Sequence, residues 1–260
     1  MPTLSPAKAP TEAKNFDLSW FEIKDLDLLL AAAIPKVEIP LPTIIILHGS
    51  HGFAKEYIQL ALDLSKHGFL AFAVRWFKGS AGLGSKFVTP IISESTKELP
   101  DASSEEAIKI IDTIYNAISK FKNVDSTKIG IFGHSRGGRA AINYSIKVGK
   151  AKAVVANSAG YPQHFVAESK QMKTPLLILH GMKDDPSEGG AEVTNVKMAM
   201  NFESELKKHE NYVISKYYES GGHNSFFTDR EQYTDGVRLI SEFFTDKLFN
   251  YGAYLRTKRR

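Results

Sequence analysis

From residue 43 onward, short uninterrupted apolar runs alternate with longer stretches of helical period. This alternation confines the chain to a sheet of parallel strands joined by helical crossovers. Runs over 43–47, 69–75, 128–132, 151–156, 175–179 and 212–218 read as strands, and most show no polar alternation, so both faces of the sheet are to be covered. Helices are predicted over 54–66, 104–121, 136–147, 193–208 and 230–249. In the second of these, Ile108, Ile111, Ile114 or Tyr115, and Ile118 recur at helical spacing, and Ser103 with Glu106 reads as a capping box. Ahead of this block, 16–20 alternates and 26–33 is apolar, which suggests two antiparallel entry strands. The predicted architecture is a mostly parallel α/β sheet of about eight strands with helices on both faces.

One of these strands ends in an unusual way. Lys128-Ile129-Gly130-Ile131-Phe132 runs directly into Gly133-His134-Ser135-Arg136-Gly137-Gly138, and a helix-like run follows. This is the G-x-S-x-G pattern of a nucleophile elbow, a strand-to-helix turn too tight for Cβ atoms two residues before and two after the serine. A serine hydroxyl needs a neighbouring base, and candidates follow in order. The run 174–179 empties into His180-Gly181-Met182-Lys183-Asp184-Asp185, which sets a carboxylate just past a strand end. The last strand, 212–218, is followed by Ser220-Gly221-Gly222-His223-Asn224, which makes His223 the base candidate. The order Ser, Asp, His differs from the orders used by chymotrypsin and subtilisin.

On these motifs, with His48-Gly49 after the strand 43–47, the chain resembles the α/β-hydrolase superfamily and within it the dienelactone-hydrolase-like group, from about residue 43 to 244. The resemblance implies the α/β-hydrolase fold, with Ser135 as nucleophile and His223 as general base and then acid. It also implies that Asp184, in the H-G-x-x-D pattern, orients the histidine. Asp185 is the other carboxylate at that point, although Asp185-Pro186 more naturally starts a turn. The oxyanion hole falls on the N–H of Arg136, after the nucleophile, and the N–H of Ser50, after His-Gly. One departure stands out: the group typically carries cysteine at the elbow, and serine is more similar to the esterase and acyl-peptidase relatives.

Composition narrows the function classes. A 260-residue chain with 43% hydrophobic residues suits one domain, expected over 15–250, between a disordered lead over 1–14 and a basic tail over 251–260. The formal charge of +4 is dispersed, so nucleic acid is not an expected partner. Absence of cysteine excludes disulfides and thiolate metal sites, and no H-E-x-x-H spacing occurs, so no metal or other cofactor is expected. The first ten residues lack an apolar signal core, and no run reaches the roughly 18 apolar residues of a membrane span, so a cytoplasmic location is expected.

Between the strands at 151–156 and 175–179 there is too little chain for a lid domain. The connection 77–100 has no clear period and is long enough to shape a pocket, with Phe77 and Phe87 as candidate acyl-pocket residues. His134 is expected beneath the elbow, His180 as a brace between loops, and His51, His164 and His209 on the surface or in loops. The expected activity is hydrolysis of a small carboxylic ester through an acyl-enzyme. A prolyl-oligopeptidase-like peptidase, an acyl-CoA thioesterase or acyltransferase, and a non-catalytic binding protein of the same fold are the alternatives.

Overall fold

The computed structural model describes residues 2–80, 87–92, 99–188 and 190–249. Nine strands form one sheet: β1 (Ser5–Pro6), β2 (Ser19–Ile23), β3 (Leu28–Ala33), β4 (Leu41–Leu47), β5 (Leu70–Val74), β6 (Val124–His134), β7 (Val154–Asn157), β8 (Leu176–Gly181) and β9 (Val213–Tyr218). Their order is β1-β2-β3-β5-β4-β6-β7-β8-β9, with β1, β2 and β3 pairing antiparallel and every pair from β5 to β9 parallel. The helices among the described residues are α1 (Lys55–Lys66), α2 (Glu105–Ile118), α3 (Arg136–Lys147), α4 (Gln163–Glu168), α5 (Val196–Lys208), α6 (Ser225–Thr228) and α7 (Arg230–Leu248).

β4 shows why the sheet carries helices on both faces. All seven of its residues are buried, and successive side chains enter opposite cores. Ile44 and Ile46 pack with Tyr57 and Ile58 of α1 and with Ile240 and Phe244 of α7. Ile45 and Leu47 belong to the opposite core, which also holds Ile111 of α2, Ala141 of α3 and Phe202 of α5. Each fully buried isoleucine contributes about 1.5–3 kcal/mol from the removal of apolar surface from water. The chain leaves β4 outward to β5 and returns to β6 on β4's other side, so a crevice opens where the carboxyl ends of β4 and β6 diverge.

Two local expectations are corrected. The lead expected to be disordered is laid along the sheet instead: Ser5 and Pro6 pair with Glu22 and Phe21, Ala7 N–H donates to Trp20 O at 2.9 Å, and Ala13 is buried. A proline is tolerated there because an edge strand leaves one row of backbone groups unpaired. At α2, Ser104 and not Ser103 is the cap, its Oγ accepting from Ala107 N–H at 3.1 Å. Ser103 Oγ is engaged elsewhere, accepting from Arg139 Nε at 2.8 Å. The basic tail lies outside the described residues.

Candidate active site

The elbow is built by contact, not by propensity. Ser135 takes φ 52° and ψ −115°, a conformation strained for a residue with a side chain, between the end of β6 and the start of α3. A Cβ on Gly133 would be driven into the carbonyl of Gly137, and a Cβ on Gly137 into the carbonyl of Leu47. Glycine is therefore required at both positions if α3 is to start this close to β4 and β6. Ser135 N–H donates to Asn157 O on β7 at 2.9 Å, and its carbonyl accepts from Arg139 N–H at 3.0 Å, which fixes the turn at both sides.

His223 and Asp184 come to Ser135 on the loops leaving β9 and β8. These two loops touch through Gly181, where a Cβ would overlap Gly221 O, and through Lys183 N–H donating to that same carbonyl at 2.9 Å. His223 Nε2 lies 2.9 Å from Ser135 Oγ, and His223 Nδ1 lies 2.7 Å from Asp184 Oδ2. All three residues are buried, with Ser135 the most exposed at 9%. Asp185 is turned away and exposed, its Oδ1 accepting from Ser187 N–H and Oγ in a local turn.

Asp184 has two further donors, His180 from its own sequence motif and Thr194 from outside it. Thr194 Oγ1 is 2.9 Å from Asp184 Oδ1, and His180 Nε2 is 3.2 Å from Oδ2 and 2.7 Å from Thr194 O. Burial would raise the Asp184 carboxyl, but hydrogen bonds from His180 and His223 outweigh it and hold its pKa below the ordinary carboxylate value. An ionised Asp184 requires a donor at His223 Nδ1, which leaves Nε2 as the acceptor facing the Ser135 hydroxyl. His180 thus does brace loops, and it does so through the same carboxylate. Thr194 has no signal in the sequence as a partner of Asp184: it stands ten residues further on, at the end of a 3-10 turn (Glu192–Thr194) ahead of α5.

Beneath the site lies a cluster of buried imidazoles. The His134 ring centroid is 5.3 Å from that of His223 on one side and 5.3 Å from that of His51 on the other. Asn157 reaches Leu179 O with its amide nitrogen at 3.4 Å and so presents Oδ1 to His134 Nδ1 at 2.7 Å. Burial first, and then the neighbouring His223, push the His134 pKa down to about 3, and burial likewise lowers His48 to about 3. His51, expected on the surface or in a loop, lies in the 48–52 loop but is buried: Tyr57 Oη accepts from Gly49 N–H and hydrogen-bonds with His51 Nε2. His164 and His209 are exposed.

The remaining predicted donors flank the serine. Neither Ser50 N–H nor Arg136 N–H has a hydrogen-bond acceptor among the described residues, and both residues border a cavity of about 180 Å³ beside Ser135. Ala102, Gly160 and Val193 narrow it, and Arg136 and Arg139 stand at its edge. Phe77 and Phe87 do not line this cavity. Phe77 packs at a tilt against His48 and borders a separate space of about 700 Å³ next to α2, while Phe87 packs into the core on the α1 side. Among the described residues no His, Cys, Asp and Glu group is arranged to hold a metal ion, and no helix is long and apolar enough to cross a membrane.

The sequence profile of the dienelactone hydrolase family matches residues 30–243. The chain belongs to that family. The dienelactone hydrolase family fold is shared with solved structures of low sequence identity. A candidate dienelactone hydrolase from Klebsiella pneumoniae subsp. pneumoniae is 18% identical over 94% of this chain and 99% of that one, with a TM-score of 0.68. A dienelactone-hydrolase-like promiscuous phosphotriesterase from metagenomic libraries is 12% identical, with 95% and 100% covered and a TM-score of 0.68. Acylaminoacyl peptidase of Pyrococcus horikoshii is 20% identical over 96% of this chain but 42% of its own, with a TM-score of 0.66. These likenesses establish the α/β-hydrolase fold. No curated protein sequence matches the chain at a significant level.

Proposed function

We propose that this member of the dienelactone hydrolase family is a serine hydrolase that cleaves small carboxylic esters through an acyl-enzyme on Ser135. The observation that carries the reading is the continuous line of hydrogen bonds from Ser135 Oγ to His223 at 2.9 Å and from His223 to Asp184 at 2.7 Å. It joins a nucleophile, a base and an anion that selects the base's tautomer.

As Ser135 Oγ adds to the ester carbonyl, His223 Nε2 takes its proton. The negative charge developing on the carbonyl oxygen is met by the N–H groups of Ser50 and Arg136, which have no acceptor among the described residues. The imidazolium, stabilised by Asp184, then protonates the departing alkoxide, leaving acyl-Ser135. Water attacks this ester, gives its proton to His223, and the carboxylic acid leaves as the serine is restored. The narrow space of about 180 Å³ beside Ser135 favours a short acyl group.

Intact mass after treatment with a fluorophosphonate tests this reading. One adduct on the wild type and none on Ser135→Ala is expected, with ester turnover falling roughly 10⁴-fold or more in the variant. No adduct on folded wild type would replace the hydrolase with a ligand-binding protein of the same fold.

A further inference from the structure

We infer that the side chain of Arg136 is a positioning residue that locks the two oxyanion donors into one frame; the inference rests on the hydrolase reading. The two donors come from different strands. Ser50 follows β4 and Arg136 follows β6, and the ladder between these strands ends at the pair Leu47 and Gly133. Beyond that pair no backbone hydrogen bond among the described residues links the 48–52 loop to the start of α3. Close packing of Gly137 against the carbonyls of Leu47 and His48, and of Gly49 against Ser135, brings the two donors together, and side chains make the hydrogen bonds between them; an error of about 1 Å can cost roughly 100-fold in rate.

Two hydrogen bonds add to the contact of the His51 and His134 rings and to the Trp76 Nε1 bond to His48 O. From below, Tyr57 Oη accepts from Gly49 N–H at 2.9 Å. From above, the Arg136 side chain folds back over its own helix start: Nε donates to Ser50 Oγ at 2.9 Å, and Nη1 donates to Pro100 O. One residue therefore supplies one donor through its N–H and grips the residue that supplies the other. Arg139, one turn along α3, extends the same lashing to Ser103 Oγ and Asp101.

The side-chain partners of Arg136 suit this role. Among the described residues no carboxylate forms an ion pair with Arg136, and its mapped acceptors are a hydroxyl and a carbonyl. Burial, followed by the like charge of Arg139, lowers its pKa. The planar fork suits a bridge between two loops, since its donors diverge at fixed angles.

Phosphonylation kinetics test the inference without knowledge of the natural substrate, because the P=O oxygen occupies the oxyanion position. Arg136→Met should lower the maximal rate of Ser135 labelling about 10- to 100-fold, less than complete loss of a donor, with the reversible binding constant of the neutral reagent changed less than about threefold. Ser50→Ala keeps the N–H and removes only the Oγ acceptor, and should give a loss of similar size in a chain of wild-type Tm. The double variant should be no slower than the slower single variant, since both remove one contact.

Wild-type rates in Ser50→Ala would overturn the clamp, as would multiplicative losses in the double variant. A defect confined to the binding of carboxylate-bearing reagents would overturn it in favour of substrate charge recognition. If the wild type itself took no label, the hydrolase reading would fail first and the clamp with it; labelled wild type with indifferent variants would sink the clamp alone.

Discussion

The two ends of the candidate relay are held by opposite means. Ser135 is set by backbone: a positive φ, a helix that starts at once, and two glycines whose missing Cβ atoms let three chain segments touch. Asp184 is set by side chains, its two oxygens shared among His223, His180 and Thr194 in a segment with little regular structure. A sterically built feature fails abruptly when an atom is added. A feature built from hydrogen bonds loses function by degrees, one donor at a time, and responds to pH.

The sharpest way to break the contrast is at Gly137. Gly137→Ala drives a methyl group into Leu47 O and should cost more than about 3 kcal/mol of stability, with soluble expression lost or the urea midpoint sharply lowered. An alanine variant of near wild-type stability would mean the elbow has slack that the contacts deny.

On the other side, Thr194→Val keeps the shape and deletes one donor to a buried carboxylate. About 1–3 kcal/mol of stability and a roughly tenfold lower kcat are expected, with KM little changed. A graded loss here beside an abrupt loss at Gly137 would uphold the comparison. An effect as large as that of removing Ser135 would show that the aspartate end is as intolerant as the elbow.

The smallest effect concerns the imidazoles beneath both ends. His134 is held near 3 in the native state against an ordinary 6.5, so between these values the unfolded chain binds the extra proton. Stability is therefore lost as pH falls from about 6.5 toward 3, with a slope of about 1.4 kcal/mol per pH unit from this residue well below 6.5. Asp184, whose carboxyl is lowered from 3.8, acts in the same direction but only at more acid pH. Urea unfolding at pH 6 and pH 5 should show a shallower slope for His134→Gln than for wild type. Equal slopes would mean that His134 takes its proton without unfolding.

Much of this was legible in order along the chain. The runs behind β4 and β8 read as buried strands because every residue of 44–47 and 175–179 is apolar, and α3 begins and ends at the predicted residues. The elbow was legible because its requirement is steric and local to five residues. What escaped reading were pairings whose partners the sequence does not bring together. His51 looks like a loop histidine until Tyr57 is folded against it, and Ser103 looks like a cap until Arg139 from α3 draws its hydroxyl away. The lead over 1–14 has the composition of a disordered segment, yet an open sheet edge at β2 gives it somewhere to pair.

The sequence by itself determined the alternation of strands and helices, the strained serine between glycines, and the order in which a serine, an acid and a histidine leave successive strands. These are consequences of side-chain size and period within a few residues. The tertiary structure alone decided that His223 Nε2 meets a serine 88 positions earlier, that Asp184 and not Asp185 faces the ring, and that Thr194, His180 and Arg136 complete the surroundings. The reason is physical: a hydrogen bond has directional requirements of a few tenths of an ångström, and that precision arises only when the packed sheet fixes where separate loops end.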